Sequence, residues 1–242
     1  MEVNKVSVEA SREYLVKNFL TLHQLARASG MSEARVRSLI EQECVPGPSY
    51  ILRSATHISS SLHDQPEEYK GPVEEFFSPS VTFWIAASEQ AVPTGSLSEA
   101  MYQRFEVEFF AALIRRSAGD HGFADLFDDK GRLNQTRAKA SARAVWRDLL
   151  KGTYGICIKG PVTADSVVRK AIAVHRVASL TNNGMALEIE PSRRETLVAA
   201  LREFDDVVSH FAPHDWARSS RKRLFDDLLL RYGLQREFPR CR

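Results

Sequence analysis

The sequence predicts a mainly α protein, with an N-terminal helix-turn-helix module packed on a larger helical domain that carries a few short strands. Three observations support this. Apolar residues recur at three- and four-residue spacing along most of the chain, the period of a half-buried helix. Residues 20–50 read as two short helices joined by a glycine turn and closed by prolines. Candidate strands are brief and bounded by glycine, proline or polar clusters. The boundaries that follow are 1–53 for the helix-turn-helix module, 54–76 for a linker or irregular loop, and 77–242 for the helical domain.

In chain order, residues 8–19 form a lead-in helix with Tyr14, Leu15 and Phe19 on its apolar side. Leu22, Leu25 and Ala26 give the next helix its stripe. Ala28-Ser29-Gly30-Met31 makes the turn, and Gly30 suits the left-handed residue that ends a helix. Ser32 is the N-cap of the following helix, and Glu33 favours its positive end. Val36, Leu39 and Ile40 fall on one face. Cys44-Val45-Pro46-Gly47-Pro48 stops that helix, and Ser49 to Leu52 is a short strand or wing. Residues 54–73, rich in Ser, His, Glu and Pro, read as linker. Ser78-Pro79 opens a helix through Phe83, Trp84 and Ala87, and Gln90 to Gly95 breaks it. Ser96 to Ser98 starts a longer helix with Met101, Phe105, Phe109, Ala112 and Leu113 as its core face.

Residues 118–131 form a solvated turn, because Asp125, Asp128 and Asp129 lack the alternation and closing Glu of a calcium loop. A basic helix runs from about Asn134 to Leu150. Ile156, Cys157 and Ile158 suggest a short extended piece between glycines. Thr163 caps a helix through Val167, Ile172 and Val177, ending near Asn182-Asn183-Gly184. Met185 to Ile189 reads as a brief strand. Ser192 with Glu195 forms a capping box for a helix through Leu197, Leu201, Phe204 and Val208. Pro213 interrupts, and a final helix runs from about Asp215 to Tyr232, closed by Gly233.

Composition narrows the function classes. With 43% hydrophobic and 26% charged residues, the chain has the balance of a folded soluble protein. A net charge of +2 selects no partner in bulk, so only local clusters can. No apolar run approaches the ~20 residues of a membrane span, and MEVNKVSVEASREY lacks the apolar core of a signal peptide. Cys44, Cys157 and Cys241 are widely spaced and without a CxxC pair, which favours free thiols in a reducing cytoplasm. His210 and His214 stand four apart, but Pro213 separates them and no third ligand is evident, so neither a metal nor another cofactor is expected.

Two charge patterns bear on partners. Through residue 50, Lys5, Arg12, Lys17, Arg27, Arg35 and Arg37 are matched by six glutamates, so the module carries no excess positive charge. Arg35 and Arg37 lie on its second helix and are the candidates for nucleic-acid contact, Arg37 as a guanine reader. The stronger cluster is Lys139, Arg143, Arg147 and Lys151. They stand four apart and so form one ridge along a helix. The ridge suits an acidic partner: a carrier protein, a nucleic acid or a phosphate-bearing substrate.

The stretch FLTLHQLARASGMSEARVRSLIEQECVPGPSY resembles the helix-turn-helix entry of MerR-like regulators. Together with GRLNQTRAKASARAVWRDLLKGTYGICIK and FAPHDWARSSRKRL, it is similar to a bacterial family associated with natural-product biosynthesis. That resemblance implies a pathway context and brings no reaction with it. The family's GTYGICI-like and APH…RSSR-like stretches fall on Tyr154, Cys157, His214, Arg218, Ser219 and Arg221. A cysteine becomes nucleophilic when a histidine lowers its pKa, so Cys157 and His214 are the candidate catalytic residues. Tyr154, Arg218, Ser219 and Arg221 are the candidate substrate-binding residues. The reading is an enzyme or accessory protein of a bacterial secondary-metabolite pathway, acting on a small-molecule or carrier-bound substrate. The alternative is a DNA-binding regulator that senses a pathway metabolite.

Overall fold

The structure, a computed structural model, describes residues 8–54, 57–62, 72–92 and 95–239. Residues 55–56 and 63–71 of the expected linker, and Cys241, lie outside the described residues. The protein is mainly helical, with one small antiparallel sheet. No described helix is long and apolar enough to cross a membrane.

Helix α1 (Val8–Asn18) leads into β1 (Leu20–Thr21), α2 (Leu22–Ala28) and α3 (Glu33–Glu41). Thr21 and Gln24 form a capping box on α2, and Ser32 Oγ accepts from Arg35 N at the start of α3. Gly30, at φ +67°, supplies the left-handed residue between them. Leu22, Leu25, Ala26, Val36 and Leu39 are buried, as their spacing requires.

The stretch 54–76, expected as a linker or irregular loop, contributes two strands. β2 (Tyr50–Ser54) pairs with β3 (His57–Ser60) on one side and β4 (Glu74–Phe77) on the other. β1 pairs with β4, giving the order β1-β4-β2-β3, all antiparallel. The buried faces hold Tyr50, Leu52, Ile58, Phe76 and Phe77. EEFF has no clean alternation, so only its partners identify β4 as a strand.

The remaining helices are α4 (Val81–Gln90), α5 (Leu97–Arg115), α6 (Gln135–Leu150), α7 (Thr153–Cys157), α8 (Ala164–Leu180), α9 (Arg194–Val207), α10 (Pro213–Trp216) and α11 (Asp227–Arg231). α5 packs on α6 and α8, and α8 on α9. Trp84, Phe105 and Trp146 meet with ring centroids 5.3–6.3 Å apart and close the α4–α5–α6 corner. Phe204, Phe225 and Phe238 form a second stack under the C-terminal turns. One continuous hydrophobic core joins both ends of the chain.

Four further sequence expectations change. Cys157 lies in helix α7, and only Ile158 is extended, bridging to Val208. Residues 185–189 form no strand. A 3₁₀ turn over Pro191–Arg193 precedes α9, so Ser192 does not cap it. The expected final helix is broken: α10 ends at Trp216, and Lys222–Asp226 is π-helical before α11 begins.

Candidate functional site

The stretch around Cys157 pairs at its backbone with the end of α9, a few residues before the His214–Arg221 stretch it was expected to meet. Lys159 N donates to Val207 O at 2.9 Å and Ser209 N to Cys157 O at 3.2 Å, beside the Ile158–Val208 bridge. Cys157 itself is 2% exposed within the apolar core, and its thiol donates to the Thr153 carbonyl one turn back. A thiol so enclosed behaves as a small apolar side chain. His214 lies in the first turn of α10, a quarter exposed, with Nε2 4.0 Å from its neighbour Asp215.

The glycines around Cys157 have a packing role. Gly152 sits at φ +82°, and a Cβ there would lie 2.7 Å from the Pro48 carbonyl oxygen. A Cβ on Gly155 would lie 2.5 Å from Ser49 Oγ and 2.6 Å from Ser78 Cβ. Gly47 N donates to Leu150 O at 2.7 Å, and Ser49 Oγ to Gly152 O at 2.8 Å. The KGTYG turn is therefore where the proline-marked exit of α3 docks. Tyr154 borders the residual space there, about 10 Å³, room for one water at most.

Polar chemistry concentrates one step further along. Asp215 is fully buried and accepts from Ser60 Oγ at 3.0 Å. The buried Tyr50 hydroxyl lies beside it, and burial first, then the Asp215 carboxylate, push the phenol above its ordinary ionisation range. Tyr14 of α1 donates to the His210 carbonyl. Arg218 reaches to 3.9 Å from Asp215 and is half exposed. Ser219 is occupied locally, donating to Trp216 O and accepting from Lys222 N. Arg221 is 2% exposed; it pairs with Asp205 at 2.6 Å, donates to Val208 O and stacks on Phe225.

The same segment forms one wall of an open cleft of about 490 Å³. His210, Phe211, Trp216 and Arg221 line it from this side, facing Leu230 and Phe238. Cys157 and His214 are not among its lining residues. Trp216 is 41% exposed, yet its indole N–H donates to Asp226 at 3.0 Å, and Lys222 Nζ stands 5.3 Å from the ring. Asp226 ends the π-helical turn, in which Asp227 N donates to Lys222 O. Such turns insert an extra residue and recur at functional sites. Burial first, then Arg221, lower the His210 pKa, so its imidazole is neutral at pH 7. The sequence reading passed over Trp216 and weighed His210 only as a metal ligand. The available signal was a tryptophan among charges just after a proline-marked helix start.

The other expected partner sites lie apart from this cleft. Arg35 pairs with Glu89 at 3.5 Å and Arg37 with Glu75 at 3.0 Å, so both guanidinium groups on α3 face carboxylates of the same chain. Lys139, Arg143, Arg147 and Lys151 are all exposed along α6. Arg143 stacks on Tyr102 with its guanidinium 3.7 Å from the ring centroid, and Lys151 lies 3.6 Å from Asp148.

No curated protein and no solved structure matches the chain. A family match does cover it from α5 to α11, including the cleft residues up to Leu230. Residues 101–233 match the family of unknown function DUF6058, and the chain belongs to that family.

Proposed function

We propose that this protein is an accessory, ligand-binding member of a bacterial secondary-metabolite pathway, with the His210–Trp216–Arg221 cleft as its binding site. The pathway context rests on the sequence resemblance. The observation behind the binding reading is Trp216, a large aromatic held half-exposed by its bond to Asp226 over an apolar-walled cleft. Small-molecule sites combine such walls with a few oriented polar groups. Phe211, Leu230 and Phe238 suit an apolar or aromatic body, and neutral His210 and Asp226 suit a hydrogen-bonding head group. The buried Cys157 argues against thioester chemistry as the protein's role, so this reading is binding and presentation of substrate. Native mass spectrometry of the protein from producing cells should reveal a bound small molecule, and adding that molecule should change Trp216 fluorescence. A Trp216→Ala variant that binds it as tightly as the parent would refute the assignment.

A second reading, a metabolite-sensing regulator, draws on one feature. The segment carrying His210 and Trp216 also anchors α1 through Tyr14 and β3 through Ser60. Ligand binding at the cleft would then bear on α2 and α3 through those contacts. DNA retention in an anisotropy titration at low salt, abolished by ligand, supports this reading; no retention eliminates it.

A further inference from the structure

A second cleft, of about 430 Å³, opens between the C-terminal end of α5, the outer face of α8 and α9. Arg169 and Arg176 stand seven residues apart on α8, two turns along one face. Between them lie buried Ile172 and Ala173, which line the recess together with both arginines. Arg115 and Arg116 enter from the last turn of α5, where cations are favoured by the helix dipole. Four arginines thus line one recess, with Glu203 as the acid among its lining residues.

Their pairing leaves donors over. Arg116 is fixed on Asp165 by a two-bond fork, at 2.8 and 2.6 Å. Arg115 shares that same carboxylate. Arg176 spans Glu203 and His121 Nε2. Arg169 has its ion-pair partner Asp206 at 3.9 Å, beyond hydrogen-bond reach. Each guanidinium carries five N–H donors, so among the described residues the three carboxylates leave one positive charge and several donors uncompensated. Three of the arginines are held in place by their carboxylates, and Arg169 is the most loosely paired of the four.

We infer that this recess binds a phosphate-bearing small molecule, a phosphomonoester or diphosphate, with Arg115, Arg169 and Arg176 on its oxygens. Arginine forks match phosphate oxygens two at a time. Glu203 is the competing anion at the rim, and the Ile172–Ala173 floor takes the carbon skeleton beside the phosphate. The recess shares no lining residue with the His210–Trp216 cleft, so the inference does not depend on the reading above.

The test is calorimetric titration of the full chain with inorganic pyrophosphate at low and moderate salt. Saturable one-to-one binding that weakens with salt is expected. Arg169→Gln, at a half-exposed side chain that comes no closer than 3.9 Å to its partner Asp206, should weaken binding about tenfold, as expected for the loss of one charge-assisted pair. Glu203→Gln should tighten it severalfold by removing the competing carboxylate, a gain that damage to the fold would not produce. Arg27→Gln on the exposed face of α2 should leave binding unchanged. Absence of saturable binding, indifference to Arg169→Gln or Glu203→Gln, or an equal loss with Arg27→Gln would each overturn the inference.

Discussion

Ser60, on strand β3, donates its hydroxyl to the fully buried carboxylate of Asp215, on helix α10, at 3.0 Å. The contact joins residues 155 positions apart in the chain. It fixes the segment that carries His210 and Trp216 against the sheet, with Tyr50 alongside and Tyr14 bonded to the His210 carbonyl.

Removing either partner takes a hydrogen bond from a buried polar group. Ser60→Ala should destabilise by about 1–2 kcal/mol and Asp215→Ala by about 1–3 kcal/mol. The double variant should lose less than the sum, with a coupling of about 1 kcal/mol by urea denaturation. Additivity would mean that the two groups do not depend on each other.

Gly155→Ala should lower stability by about 1–3 kcal/mol, because its Cβ would overlap Ser49 and Ser78 in a packed junction. Gly95→Ala, where a Cβ meets nothing within 4 Å, should be close to neutral in the same thermal melts. Equal midpoints for the two variants would contradict the docking role assigned to the KGTYG turn.

Cys157 should be unreactive while the protein is folded. In a background lacking Cys44 and Cys241, Ellman's reagent should release no thionitrobenzoate until denaturant is added. Cys157→Ala should leave cleft binding unchanged. Rapid labelling of the native thiol would restore Cys157 as a candidate nucleophile.

Acid stability should carry the signature of Asp165. Hydrogen bonds from Arg116 first, and then from Arg115, hold its carboxyl at about 2, below its ordinary 3.8. A folded-state pKa below the unfolded value stabilises fully above about pH 4, and that stability is lost as pH falls through 2. The pair is partly solvated, so the contribution is about 1 kcal/mol. Arg116→Gln should flatten the acid limb of a stability profile between pH 4 and 2, and leave the fold cooperative at pH 7.

The α6 ridge gives a prediction about partners. Arg143→Glu with Arg147→Glu should abolish binding of an acidic carrier protein or nucleic acid, if either docks there. The melting temperature should fall only slightly, through loss of the Arg143–Tyr102 stacking worth about 0.5–1 kcal/mol. A large loss of stability would assign the ridge to the fold instead.

The helical class, the turn at Gly30, the caps at Ser32 and Thr163, and the core faces of α5, α8 and α9 were legible in the residues alone. Each of these is written within one or two turns of chain, in apolar spacing or a side chain that bonds a nearby N–H. The ridge on α6 was legible for the same reason. The rest depends on partners far away in sequence. β4 is a strand because Phe76 and Phe77 pair with Tyr50 and Leu20. Gly152 and Gly155 are glycines because Pro48, Ser49 and Ser78 press on them where the exit of α3 docks. Cys157 is enclosed by the core instead of facing His214 across a cavity. The π-helical turn that sets Asp226 under Trp216 leaves no mark in residue spacing, since one extra residue per turn is chosen by packing and not by local propensity.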